Sequence, residues 1–471
     1  MNDIESQIAE LLGADALVTD PGARERYLVD WMRTSHGSAD AIVRPSSTAD
    51  LARCVAWCAK NSVGVVPQGG HTGLVGGATP MEGRRQIVLS LERLNKVREV
   101  DPLSNTITVE AGAILQQVQQ AADAQDRLFP LSLGAEGSCQ IGGCISTNAG
   151  GTAVLRYGNA RELVLGLEVV LPDGSIWSRL KTLRKDNAGF DLKHLFIGTE
   201  GTLGVVTAAT LRLFPKPRQS VVALVSVPGP EAVLDLFVRV RNGFDAELTA
   251  FEFMTGECMA LACQHLGRNA PLAAETPFAV LLELASPHPG DSLTEALLSC
   301  LEQAAEAGVA SDAALASSQQ QADFFWTLRE SIPESMLRTY AQRSGHDISI
   351  PIARIPEFMR HAQELIATRW PRLGTLVFGH VGDGNLHFNF IVPEPMEAAD
   401  FRQVKAEATD ALYRLTDAFE GSISAEHGVG LHKKEVLHRL APPAQLALMR
   451  KLKDVLDHQG VMNPGKVFLP A

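Results

Sequence analysis

A short run near the C-terminal end has residue types and spacing suited to chemistry. Val377-Phe378-Gly379-His380-Val381-Gly382-Asp383-Gly384-Asn385-Leu386-His387-Phe388-Asn389 reads as two strand-like halves around a Gly-Asp-Gly turn. If the halves fold back as neighbours, His380 and His387 converge on one point. Farther along, Ser424-Ala425-Glu426-His427-Gly428-Val429-Gly430 adds a carboxylate and a third imidazole. Two imidazoles and one carboxylate, His380, His387 and Glu426, make a divalent-cation site with open positions, suited to Zn²⁺ or Mn²⁺. The seven-residue spacing of the two histidines excludes the helical HExxH arrangement.

A second kind of chemistry is written in glycine. Pro67-Gln68-Gly69-Gly70-His71-Thr72-Gly73-Leu74 directly follows a strand-like run. Its small residues let several backbone N–H groups approach one anion, as a diphosphate requires. Gly137-Ser138-Cys139-Gln140-Ile141-Gly142-Gly143 leads into Ser146-Thr147-Asn148-Ala149-Gly150-Gly151, and Gly198-Thr199-Glu200-Gly201-Thr202-Leu203-Gly204 precedes Val205-Val206-Thr207. None of these has the GxGxxG or GxxxxGK[ST] spacing, so Rossmann and Walker loops are excluded. Three such loops in one region point to one long dinucleotide lying across them.

The elements that must hold these groups alternate in type. Ala41–Arg44, Val63–Val66, Ile87–Ser90, Val97–Val100 and Thr106–Glu110 read as strands. Thr48 is expected to cap a helix running to Lys60, and Gly112–Gln125 is expected to be a second helix. Lys216-Pro217-Arg218 ends the glycine-rich region like a boundary. Beyond it, the strand Val221–Val227 and the acidic helix Pro230–Arg241 open an α+β region.

Composition narrows the function. At 471 residues and 45% hydrophobic content the chain can build a large globular core. Its formal charge of −12, with no run of Lys or Arg to offset it, argues against a nucleic-acid or anionic-membrane partner. The acidic amphipathic start, with Ile4, Ile8 and Leu11 at helical spacing, resembles neither a signal nor a transit peptide. No apolar stretch is long enough to span a bilayer. Seven cysteines without a CxxC pair read as reduced thiols, and the expected location is cytoplasmic.

Taken together, Pro67–Gly77, Gly134–Gly151 and Gly198–Thr207 resemble the FAD-binding domain of the vanillyl-alcohol oxidase/p-cresol methylhydroxylase superfamily, and the resemblance covers almost the whole chain. Leu183–Lys193 and Ala250-Phe251-Glu252-Phe253-Met254 are most similar to its FAD-linked D-2-hydroxyacid dehydrogenases, those acting on D-2-hydroxyglutarate in particular. The resemblance implies an α+β fold: an N-terminal helical segment (1–37), an FAD domain of the p-cresol methylhydroxylase type (38–217), a substrate domain with an antiparallel sheet (218–420), and a C-terminal segment (421–471) that returns to the flavin and completes the active site.

The resemblance also assigns roles. Pro67, Gly69, Gly70, His71, Thr72, Gly73 and Leu74 would hold the FAD pyrophosphate. Gly137, Ser138, Ile141, Gly142, Ser146, Asn148 and Gly150, with Glu200, Gly201, Gly204 and Val206, would flank the isoalloxazine and adenosine portions, and Asn463 would sit beside the isoalloxazine. Distant superfamily members bond flavin through a His after Gly-Gly, but the Thr-Gly-Leu following His71 resembles the non-covalent branch. His380, His387 and Glu426 match the metal ligands, with zinc favoured. His427 matches the catalytic base, Asn389 a substrate contact, and Arg329 in Phe324–Ile332 the residue that grips the substrate carboxylate. The implied reaction is oxidation of a D-2-hydroxy acid, D-2-hydroxyglutarate first, to the 2-oxo acid. The hydroxyl proton goes to His427 and the C2 hydride to flavin N5. Electrons then pass to a non-NAD acceptor such as a quinone or an electron-transfer flavoprotein. D-lactate, another D-2-hydroxy acid, or the role of a glycolate-oxidase-type FAD subunit are the alternatives, and a homodimer is compatible.

Two departures bear on the substrate. Pro333 stands where the glutarate-type enzymes have a Thr. Ser344-Gly345-His346 replaces a stretch that often carries a Lys, leaving His346, Arg338 and Arg343 as candidates to meet a second carboxylate.

Overall fold

The computed structural model describes residues 3–273 and 275–469, which form two units. The first is built from the chain up to Gly150, from Gly158–Lys216 and from Glu426 onward; the second comprises Gly151–Tyr157 and Pro217–Ala425.

In the first unit the amphipathic start is helix α1 (Asp3–Leu12), which buries Ile4 and Ile8. Strand β1 (Ala41–Val43), helix α2 (Thr48–Lys60), β2 (Gly64–Gln68) and β3 (Gln86–Ser90) follow, and the strands form a parallel sheet in the order β1-β3-β2. Parallel pairing requires a crossover, which α2 supplies between β1 and β2. The cap of α2 differs from expectation by one residue. Ser47 is the N-cap, accepting from the Asp50 N–H, and Thr48 instead donates its hydroxyl to Glu168 at 2.8 Å.

Strands β4 (Val97–Asp101) and β5 (Thr106–Glu110) and the short helices α3 (Leu115–Asp123) and α4 (Ile141–Thr147) come next, then β6 (Val164–Val170), β7 (Ile176–Arg179) and β8 (Val205–Arg212). The strands make an antiparallel sheet in the order β4-β5-β8-β6-β7. Helix α3 begins three residues later and ends two residues earlier than the expected span of Gly112–Gln125. Gly112 lies so close to Leu91 that a Cβ would stand 1.9 Å from that carbonyl oxygen, a tight chain crossing rather than a helical start. The C-terminal segment returns to this unit: Met462 pairs in parallel with Val65 on the free edge of β2.

The second unit is an antiparallel sheet of β9 (Gln219–Val227), β10 (Leu248–Thr255), β11 (Phe278–Ser286), β12 (Asp312–Leu315), β13 (Arg343–Ser349), β14 (Gly374–Gly379) and β15 (Asn385–Ile391), in the order β12-β9-β11-β10-β14-β15-β13. Helices α5 (Gly256–Leu266), α6 (Gln319–Glu330) and α7 (Ile332–Thr339) cover one face, packing Met259, Phe325 and Met336 against Leu224, Met254, Leu281 and Phe378. Phe358 of α8 (Ile355–Arg369) and Tyr413 of α9 (Ala398–Ala418) pack beside Phe388 and His346 on the other face. All seven cysteines are free, and no helix among the described residues is long and apolar enough to cross a membrane.

The glycine loops are packed backbone on backbone. A Cβ on Gly70 would stand 2.0 Å from the Ser138 carbonyl oxygen, so the first two loops approach as closely as glycine permits. Gly70→Ala is expected to cost about 1–3 kcal/mol through overpacking. A lowered urea midpoint is the measurement that checks this.

Candidate active site

In the first unit the three loops are tied to one another. Glu200 N–H donates to the Ser146 carbonyl at 2.8 Å, Gly198 N–H donates to Ile145 at 3.1 Å, and Gly201 packs on Pro67. Each loop contains one non-glycine residue in the left-handed region: His71 at φ 55°, Asn148 at 53° and Glu200 at 54°; Asn463, in the returning segment, is at 42°. Such backbone is sparsely populated and is retained where the surroundings over-determine it, often at functional sites.

The Glu200 side chain is engaged with the protein's own backbone. Its carboxylate accepts the backbone N–H groups of Val429 and Gly430, both at 2.8 Å, and so fixes the turn that follows Glu426-His427. Burial pushes its pKa up against the opposing pull of those two N–H groups. Asn463 donates through Nδ2 to the Gly77 and Glu200 carbonyls at 2.9 and 2.7 Å, joining the returning segment to the first and third loops. Its Oδ1 is buried without a hydrogen-bond partner, and so is Oε1 of Gln140 in the second loop. His71 has both ring nitrogens engaged, Nδ1 with the Arg26 carbonyl and Nε2 with Thr79 Oγ1, each at 3.1 Å, and burial lowers its pKa. A Cβ at Gly73, Gly134 or Gly143 would meet nothing within 4 Å.

In the second unit the Gly-Asp-Gly run is a hairpin. Strands β14 and β15 pair with Phe378 opposite His387, and the rings of His380 and His387 lie edge to face with centroids 5.4 Å apart. The adjacent β10 places Glu252 beside them. Its Oε1 is 2.7 Å from His380 Nδ1 and its Oε2 is 2.8 Å from Arg329 Nη2. Burial alone would raise the Glu252 pKa, but the attraction of His380 and the Arg329 guanidinium and the hydrogen bonds they make outweigh it and hold the carboxyl below its ordinary range. The Arg329 guanidinium lies over the Phe378 ring at 4.7 Å, and its Nε is buried without a hydrogen-bond partner. Arg329 is therefore an interior cation paired with Glu252, not a surface residue paired with its neighbour Glu330. On β13, Asp347 lies opposite His387, with an oxygen 4.0 Å from His387 Nδ1.

Strand alternation sorts the remaining candidates. Asn389 shares the face of His387 and donates to the Leu376 and His387 carbonyls. His346 is on the opposite face, its ring tilted against that of Phe390 with centroids 4.5 Å apart, with Nδ1 engaged by the Phe388 carbonyl and Nε2 by Thr409 Oγ1. The fold thus separates His346 from the His380–His387 pair. Arg338 is exposed and pairs with Glu334, whereas Arg343 lies on the His387 face by alternation. Pro333 sits in the first turn of α7, where a missing N–H costs nothing. Sequence reasoning missed the placement of Glu252 against His380 and Arg329. The available signal was a single acid in the otherwise apolar run Ala250–Met254.

Residues 39–178 match the family model of an FAD binding domain, and residues 216–467 match that of FAD linked oxidases, C-terminal domain. The chain belongs to the FAD-linked oxidase family. This oxidoreductase is 42% identical over 454 residues to a D-2-hydroxyglutarate dehydrogenase, mitochondrial, of Bos taurus, covering 96% of this chain and 81% of the relative. It is 41% identical over 453 residues to a D-2-hydroxyglutarate dehydrogenase of Xanthomonas citri pv. viticola, covering 96% and 94%. Its fold is that of p-cresol methylhydroxylase, whose structure with substrate bound superposes with a TM-score of 0.79 at 14% identity over 99% of this chain and 96% of the other. The first unit of this FAD-linked oxidase fits its cofactor. The side chain-free positions at Gly73, Gly134 and Gly143 and the orphaned acceptors on Asn463 and Gln140 are features a polar, planar dinucleotide can use.

Proposed function

We propose that this FAD-linked oxidoreductase converts a D-2-hydroxy acid, D-2-hydroxyglutarate first, to the 2-oxo acid and passes the two electrons to a non-NAD acceptor. The observation that carries the reading is the cluster on one sheet face of the second unit. Two imidazoles stand beside a buried guanidinium there, so ligands for a cation neighbour a cation for a carboxylate. The names of the relatives support the glutarate assignment.

Each residue then has a task. Arg329 and Asn389 bind the C1 carboxylate, Arg329 through guanidinium donors not committed to Glu252. His427 takes the hydroxyl proton on its imidazole, a base whose ordinary pKa suits neutral pH. Glu200 keeps the Gly428–Gly430 turn, and with it the adjacent Glu426 and His427 backbone, in one conformation. FAD, held non-covalently by the three loops, supplies the two-electron sink when bound. His380, His387 and Glu426 are the residues that would hold a divalent cation, zinc favoured, and the cation would supply positive charge near the substrate hydroxyl. The engagement of both His71 nitrogens by Arg26 and Thr79 supports a non-covalent flavin.

A second reading, a shorter acid such as D-lactate, is favoured by Pro333 and by the commitment of both His346 nitrogens, which remove two groups for a distal carboxylate. A panel of D- and L-2-hydroxy acids with an artificial acceptor tests the assignment. Highest kcat/KM for D-2-hydroxyglutarate supports the first reading, and preference for D-lactate the second. Turnover of L-acids alone rules out both.

A further inference from the structure

We infer that Glu252 is the positioning residue of His380, fixing the ring in the tautomer that presents Nε2 to a divalent cation, with Arg329 as the counter-charge of Glu252; this rests on the cation site proposed above. The geometry is built by register. Strand β10 pairs with β14 through Phe253 opposite Gly379 and Met254 opposite Phe378, which brings Glu252 alongside His380. The carboxylate is 1% exposed, and its two oxygens are divided between His380 Nδ1 at 2.7 Å and Arg329 Nη2 at 2.8 Å. Arg329 in turn lies over Phe378, whose ring centroid is 4.9 Å from that of His387. Glu252, Arg329, His380 and His387 are thus one packed cluster.

A neutral imidazole has one N–H and one bare nitrogen. An ionised carboxylate can only accept, so the hydrogen at this contact belongs to His380 Nδ1 and the bare nitrogen is Nε2. A carboxylate on the far nitrogen both fixes the ring and makes it a stronger donor to a cation. Without Arg329 that carboxylate would be an uncompensated buried charge, which explains a second charged residue so deep in the unit.

The test uses the purified FAD-containing protein, with Zn²⁺ binding measured by competition with a chelating dye. Glu252→Gln, nearly isosteric, is expected to keep the flavin spectrum and to bind Zn²⁺ about 10–100-fold more weakly, with Glu252→Asp recovering part of the loss. His387→Ala serves as the reference for a lost ligand. Wild-type affinity in Glu252→Gln, alongside lost binding in His387→Ala, overturns this inference and leaves the proposed cation site standing. The absence of a tight Zn²⁺ site in the wild type overturns both. Should the Glu252 variants fail to fold, ¹⁵N-histidine NMR of the wild type decides: an Nδ1–H tautomer at His380 supports the inference, and an Nε2–H tautomer overturns it.

Discussion

His427→Ala is expected to lower kcat for the 2-hydroxy acid by about 10²–10⁴-fold, the usual contribution of a positioned general base. The flavin spectrum and the unfolding midpoint should stay at wild-type values. The reason for expecting this separation is local. The turn after His427 is held by the Glu200 carboxylate on the Val429 and Gly430 N–H groups, and those bonds do not involve the imidazole. Truncating the ring therefore removes the proposed proton acceptor and leaves the Glu200 bonds to the turn in place. Stopped-flow flavin reduction is the appropriate measurement, because it isolates the step in which the proton is lost from reoxidation by any acceptor. A loss of less than tenfold would assign the base elsewhere.

Metal removal is expected to have an effect of similar size. Treating the protein with a chelator should lower turnover by about three orders of magnitude, because several kcal/mol of charge stabilisation at the substrate oxygen is lost. Added Zn²⁺ or Mn²⁺ should restore the chelated wild type and should fail to restore His387→Ala. In both cases flavin should remain bound, since none of the residues assigned to it is among His380, His387 and Glu426. Metal analysis alongside the assay checks that the loss of activity follows the loss of the ion. Full turnover after exhaustive chelation would remove His380, His387 and Glu426 from the chemistry.

Much of this arrangement was legible because short-range rules govern it. The Gly-Asp-Gly turn between two apolar runs foretold the hairpin that brings His380 and His387 together, and β14 and β15 are that hairpin. The glycine loops were legible for the same reason, since backbone crossings as close as Gly70 on Ser138 leave no alternative residue. What stayed hidden depends on strand parity and long-range register. His346 and Asp347 are adjacent in sequence yet face opposite sides of the sheet, and neither residue type reveals which side is which. Glu252 reaches His380 across 128 positions of chain, so its partner becomes visible only once β10 is seen beside β14. The capping of α2 by Ser47 rather than Thr48 is a smaller case of the same kind, decided by Thr48 finding Glu168 on a distant strand.

Anaerobic titration with a D-2-hydroxy acid, followed at the flavin absorbance, puts the central assignment to its most direct test. The yellow colour should bleach on adding D-2-hydroxyglutarate or D-lactate to the wild type and should persist in His427→Ala. A flavin that stays oxidised in the wild type with every D-2-hydroxy acid offered would show that this protein does not perform the proposed oxidation.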